Sequence, residues 1–357
     1  MNARRLTPGM GRAGLGVAAL VMLLAVVGAG AAVGESAIPV HEVAQVLANR
    51  LFDAGFSVDA IDAGIIWEYR LTRTLVAACC GAGLALSGVV LQALLRNPLA
   101  EPYLMGISAG ASTGAVLIAV AGVGAGTLTL SGGALIGAVV SFALVVALAR
   151  LALGGAAGQA AGEGDTAVTG TIILAGVAGS SLFNAVTALV IAHSASAEQT
   201  RGLMFWLMGN LSGVRWPDVA LAAPAALAAL GVCLAHRRAL DAFAFGRDTA
   251  ASLGVAVRWV QPLLIAAVAL VTAVMVSIVG AIGFVGLIVP HGARFLVGSQ
   301  HSLLLPVSAL AGAVFLIAAD VVSRVLIAGQ VLPIGVVTSL IGAPVFAALL
   351  VNRRRAA

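Results

Sequence analysis

Ten stretches of mostly apolar residues follow one another along the chain, near 14–33, 74–95, 103–122, 128–153, 171–193, 219–235, 259–279, 281–297, 303–328 and 332–351. A helix needs about 20 apolar residues to cross a bilayer. In hydrocarbon every backbone N–H and C=O must find its partner within the protein, so segments of this kind fold as helices. The expected fold is therefore an all-α polytopic membrane protein of about ten transmembrane helices, with residues 1–357 in a single domain. Composition agrees: 61% of the residues are apolar and 9% charged, against roughly 25% charged in soluble domains. Arg4, Arg5 and Arg12 precede the first stretch; a signal peptide also begins this way, but the stretch is longer than the usual apolar region of one, which favours a retained helix.

All 19 basic residues are arginine. Without a lysine the chain cannot form a Walker-type phosphate loop, so any ATP it uses, with its magnesium, is bound by another chain, and no cofactor is expected on this one. The net charge of +5 comes from arginines beside the apolar stretches, and no dense basic run or aromatic-basic interleaving suggests nucleic acid. Threading ten spans with both termini in the cytoplasm places thirteen arginines inside and six (Arg50, Arg70, Arg73, Arg201, Arg215 and Arg324) outside, as the positive-inside rule requires. Cys79, Cys80 and Cys233 lie in apolar runs without metal-ligand spacing, and the five histidines, His291 and His301 among them, form no metal motif. No metal site is expected.

Four connections are long enough to carry function. Residues 34–69 form an external segment with six acidic residues, residues 154–170 an internal one, and residues 194–218 an external one whose MFWLMGNLSG suggests a short helix against the bundle. The fourth, 236–258, is too polar to span and contains the helix-compatible DTAASLG, ended by Gly254. Asn97-Pro98 and Glu101-Pro102 break the helix before them, so Arg96 and Glu101 fit a cytoplasmic turn. Gly106, Gly110 and Gly114 then share one helix face, where small residues let backbones approach closely. Asp320 is the one acidic residue placed well inside a span, with Arg324 one turn on to pair with it. Arg70, Arg73 and Arg324 sit at outer span ends, where arginine can snorkel. Ser180, Ser181 and Asn184 put polar groups inside the fifth span, facing either another helix or an aqueous path.

RNPLAEPYLMGISAGASTGAV (96–116), RLTRTL (70–75), LAGVAGSSLFNAV (174–186), FWLMGNLSGVRW (205–216), GAIGFVGLIVPHGAR (280–294), LIAADVVSR (316–324) and LPIGVVTSLIGAPVF (332–346) resemble the motifs, in order, of the FecCD-type permeases, the membrane subunits of ATP-driven importers for iron chelates, haem and cobalamin. The resemblance runs from Arg70 onward and implies the type II ABC importer permease fold in a bacterial cytoplasmic (inner) membrane. It implies a second permease copy, usually identical, two ATP-binding cassette subunits, and a periplasmic or lipid-anchored substrate-binding protein. Arginines matching Arg70, Arg73 and Arg324 face acidic residues of that binding protein in the family; Thr72 stands where many relatives carry proline. Residues 237–255 match the coupling helices that enter a cleft of the ATPase, which makes Ala244, Gly246, Ala250 and Leu253 the expected contacts with Arg247 and Asp248 at the rim. The fifth span matches the central channel and Thr169 and Gly170 its gate, with Ser180, Ser181 and Asn184 on the path. Ferric siderophore is the first expectation for cargo, ahead of haem and cobalamin. An ion-coupled secondary transporter is the alternative; it would need an intramembrane ion site, for which only Asp320 qualifies.

Overall fold

The computed structural model describes residues 12–34, 38–120, 129–155, 165–194, 196–327 and 329–356. Arg4, Arg5 and Glu163 lie outside these, as do the side chains of Arg12, Thr169 and Arg353 to Arg355. The described residues are helical almost throughout and contain no strand. In order they are α1 (Arg12–Ala32), α2 (Val40–Phe52), α3 (Ala60–Gly64), a π-helical segment (Ile65–Leu71), α4 (Thr72–Leu94), a 3-10 turn (Pro102–Met105), α5 (Ile107–Ala119) and α6 (Leu130–Gly155). There follow α7 (Asp165–Ser194), α8 (Ala197–Leu207), α9 (Trp216–Ala235), α10 (Arg237–Phe243), α11 (Arg247–Ser252), α12 (Val257–Val279), α13 (Val285–Val297), α14 (His301–Val325) and α15 (Ile334–Ala356).

Six of the ten expected spans are helices long and apolar enough to cross a bilayer: Ala60–Leu94, Leu130–Ala152, Gly170–His193, Trp216–Ala235, Val257–Val279 and His301–Val325. The other four, Gly16–Ala32, Ile107–Ala119, Val285–Val297 and Ile334–Ala348, are shorter apolar helices. Thirteen residues rise only about 20 Å, less than the roughly 30 Å hydrocarbon core. So α5 and α13 each need irregular chain to complete the passage, and such chain is tolerated at depth only where protein or a water-filled cavity surrounds it.

α4 is the centre of the bundle. Its sequence is apolar or small all round, the pattern of a helix with no lipid face, and 78% of its most apolar stretch is buried, against 17% for α7. It packs against α14, α9, α12 and α13. The contacts are backbone to backbone: a methyl group added at Gly81 would strike the Gly312 carbonyl of α14, and one at Gly88 the Gly286 carbonyl of α13. Lipid tails are as apolar as leucine, so helices in a bilayer gain by close packing rather than by hiding apolar surface. α5 meets α6 the same way, with Gly110 and Gly114 against the carbonyls of Gly137 and Gly133, while Ser141 Oγ donates to Gly106 O at 2.8 Å. Gly114→Leu has no space to enter; overpacking of this kind costs about 1–3 kcal/mol, read as an earlier thermal unfolding midpoint of the detergent-solubilised protein.

Candidate functional site

At one end of α4 and α14 three arginines and one aspartate meet. The π-helical segment adds a residue to its turn, as such bulges do near functional sites, and both Arg70 and Arg73 face inward, each 1% exposed. Thr72, within this turn, donates its hydroxyl to Glu68 O at 2.8 Å, a bond for which proline has no group. Asp320, fully buried, accepts from Arg73 Nε at 2.7 Å on Oδ1. Its Oδ2 lies 2.9 Å from Arg324 Nη2, an ion contact whose alignment is not that of a hydrogen bond. Arg73 also donates to Tyr69 Oη at 2.9 Å and Ser212 Oγ at 3.0 Å. Among the described residues, the end of α1 supplies further acceptors to this cluster. Arg70 donates to Ala32 O at 2.8 Å, and Arg324 to Val33 O at 2.7 Å and Gly30 O at 3.0 Å. These are carbonyls a helix end leaves without intrahelical partners, at the negative end of its dipole. Gly34 lets the chain cross directly over Arg70, since a methyl there would lie 2.6 Å from Nε. The expected Asp320–Arg324 pair is thus present but shared with Arg73. The arginines are neither snorkelling nor presented at a surface; residues 30–34 cover them.

In the middle of the bundle, four of the motifs supply the irregular chain that the short helices require. α12 ends at Gly280 and α13 begins after Phe284, both with positive φ, and Gly286 lies against Leu84 and Gly88, well along α4. Tyr103 Oη donates to Ile282 O and accepts from Ile282 N, each at 2.6 Å. Glu101 Oε1 accepts from Phe284 N at 2.8 Å. The Met208–Leu211 chain joins from the other side: Asn210 N donates to Val279 O at 2.8 Å, while Gly209 O and Met208 O accept from Ile334 N and Gly335 N at 2.9 and 3.1 Å. The expected turn at Arg96–Glu101 is corrected in one respect. Its glutamate folds back into the protein, because the amide at the start of α13 has no carbonyl one turn behind it to bond.

At the other end of the bundle, α10 and α11 stand on the 236–258 connection, and Gly246 at φ +111° turns the chain between them. α11 stops at Ser252, followed by Gly254 at φ +85°. Ala244, Asp248 and Leu253 are exposed and Arg247 half-buried. Gly246 and Ala250 face inward, Ala250 within the core beside Leu240 and Phe243. Ala250 as a contact for another protein is therefore corrected: in a one-turn helix the apolar residue at its middle is the one that anchors it. The exposed apolar side chains here are Leu253, 67% exposed, and Phe245, 72% exposed. The connection holds two phenylalanines, and only the packing decides that Phe243 is buried and Phe245 exposed.

α7 turns one face away from the bundle. Leu174, Val177, Ser181 and Asn184 are exposed along it, while Ser180 is half-buried beside Gly106. Gly170 has open space where a side chain would stand, and the side chain of Thr169 lies outside the described part. On the opposite face of α7, Thr113 Oγ1 of α5 donates to Phe183 O at 2.8 Å.

A model described as the FecCD transport family matches residues 20–352. The chain is 42% identical over 292 residues to the cobalamin import system permease protein BtuC of Halobacterium salinarum, covering 81% of this chain and 74% of that one. It is 39% identical to the vitamin B12 import system permease protein BtuC of Escherichia coli, covering 81% and 84%. With the uncharacterized ABC transporter permease protein YvrB of Bacillus subtilis it shares 37% over 91% and 90%. Among solved structures, one described as a metal-chelate type ABC transporter in an inward-facing conformation superposes with a TM-score of 0.77 at 29% identity, covering 94% of this chain and 98% of that one. A match of this extent, running from within α1 to within α15, makes the chain a member of the FecCD transport family: a multi-pass permease subunit of an ABC importer, a transport component and not an enzyme.

Proposed function

We propose that this permease carries a corrinoid of the cobalamin type across a bacterial cytoplasmic membrane. The observation that carries the reading is the 42% and 39% identity to permeases named for cobalamin and vitamin B12 import, over 81% of this chain. This moves the cargo away from the ferric siderophore expected from the motifs. A ferric chelate is the second reading, favoured by the metal-chelate description of the structural relative.

The working assembly in this proposal is two permease copies, two ATPase subunits and a binding protein outside. The exposed face of α7 supports the second copy, since Ser181 and Asn184 on an outward stripe are costly against lipid and well placed along a path between two copies. Phe245 and Leu253 are the side chains proposed to enter the ATPase, which holds the ATP and magnesium. The guanidinium groups of Arg70, Arg73 and Arg324 suit acidic groups on a binding protein, for which arginine offers bidentate geometry. Direct contact requires the 30–34 chain to lift away from them. Transport is alternating access, ATP binding on the partner favouring one of two packings of the helices.

Proteoliposomes holding the permease with its ATPase and binding protein test this. ATP-dependent uptake of labelled cobalamin is expected, with little uptake of a ferric siderophore or haem. Siderophore uptake without cobalamin uptake transfers the assignment to the second reading. Uptake by the permease alone, driven by an ion gradient, removes the importer mechanism altogether.

A further inference from the structure

α14 receives its N-terminal cap from a different helix. Gln300, just before it, makes no side-chain bond to its first turn. Instead Asp241 of α10 reaches across: its Oδ1 accepts the backbone N–H of His301 at 2.9 Å and pairs with the ring Nδ1 at 2.7 Å. A carboxylate only accepts, so Nδ1 carries the proton. The His301 side chain is 5% exposed and that of Asp241 36%, and His301 Nε2 is buried with no hydrogen-bond partner. Asp241 is therefore the group that orients the ring. It also supplies a carboxylate to the positive end of the α14 dipole, which removes one unsatisfied amide and adds a favourable charge interaction. Around the pair, Leu240, Ala242 and Phe243 of α10 and Leu304 and Leu305 of α14 belong to one buried cluster.

The other end of the same helix carries Asp320 and Arg324, bound to Arg73 and to the last carbonyls of α1. Between the two ends Gly312 lies against the backbone of Gly81, which leaves α14 little freedom to bend away from α4. Twenty-five residues span about 37 Å, with one backbone bond missing at Pro306 near the first turn, so α14 is one continuous helix with a polar tie at each end.

We infer that the Asp241–His301 pair is a positioning tie that passes displacement of α10 to α14, and through it to the Arg73–Asp320–Arg324 cluster at the far end. The inference rests on the proposed contact between the ATPase and the α10–α11 connection. Neither residue touches cargo or nucleotide; both act by keeping two helices moving as one body.

A fluorophore on Leu326→Cys, an exposed position just past α14, in a background with the three native cysteines replaced by alanine, reads movement at the far end. The complete importer is reconstituted with ATPase and binding protein. ATP is expected to change the emission in the parent. Asp241→Ala is expected to keep the ATPase assembled and its unstimulated hydrolysis, while the emission change and the stimulation by binding protein fall about fivefold or more, the lower end of ordinary coupling between sites. Asp241→Asn is expected to restore both, because an amide oxygen accepts the same two N–H groups; His301→Ala, which keeps the backbone bond alone, is expected to fall between. The tie is refuted by a full ATP response in Asp241→Ala, by an Asn variant as silent as the Ala one, or by loss of ATPase assembly in Asp241→Ala, which marks a local folding role. A parent that gives no ATP-dependent emission change and no uptake refutes the importer reading instead, before any variant is compared.

Discussion

Asp320→Ala is expected to destabilise the solubilised protein by about 3–5 kcal/mol, the usual result of removing one partner from a buried ion pair. The carboxylate is fully buried between Arg73 and Arg324. Without it Arg73 and Arg324 are left, among the described residues, with carbonyl and hydroxyl oxygens as acceptors. Thermal unfolding in detergent measures the loss. Asp320→Asn is expected to recover little, since the amide keeps an acceptor for Arg73 Nε but supplies no charge. Replacing Asp320, Arg73 and Arg324 together by leucine, methionine and methionine is expected to recover most of the stability, because a buried charge network exchanged whole for apolar side chains of similar volume is often neutral or better. Association with the binding protein separates structure from function at this site. If the triple variant is stable and still binds its partner normally, these arginines have no docking role.

The double substitution Phe245→Glu with Leu253→Glu is expected to abolish ATP-dependent uptake while leaving the permease folded. Both side chains are exposed and apolar at the tip of a connection too polar to span the membrane, which makes them anchors for a partner rather than parts of this protein's core. Fully burying a large apolar side chain is worth about 1.5–3 kcal/mol, so losing two and adding two charges weakens the ATPase contact by a factor of a hundred or more, at about 1.4 kcal/mol per tenfold. Pull-down of the ATPase by the detergent-solubilised permease reads the contact, and the unfolding midpoint serves as control. Ala250→Arg, by contrast, is expected to shift the midpoint itself, because Ala250 is wholly buried. A double variant that still captures the ATPase rules out this surface as the coupling contact.

These two sites differ in how far they could be read beforehand. The Asp320–Arg324 pair was legible because helical periodicity places residues four apart on one face. Arg73 as the closer partner was not, since it lies 247 residues away on another helix. At the α10–α11 connection, the position and polar character of the segment were legible, while the direction each side chain faces was not. Six residues of α11 carry too little pattern to reveal an inner face, so the burial of Ala250 and the exposure of Phe245 are visible only in the folded chain. Glu101 shows the same limit. Its prolines correctly marked a broken helix, but nothing local indicated that its carboxylate would cap Phe284, 183 residues on.

By itself the sequence determined that this is an all-helical, multi-pass membrane protein, where its spans lie, and to which family it belongs. Long apolar runs leave the backbone no hydrogen-bond partners except its own, and that constraint acts within each segment. Tertiary structure alone decided which spans stop half-way, that Arg70, Arg73 and Arg324 are covered by the end of α1, and that α14 is capped by Asp241 of α10. Those outcomes depend on which backbones approach closely enough to exclude lipid, and on where a buried charge finds its counter-charge, and both are settled by groups far apart along the chain.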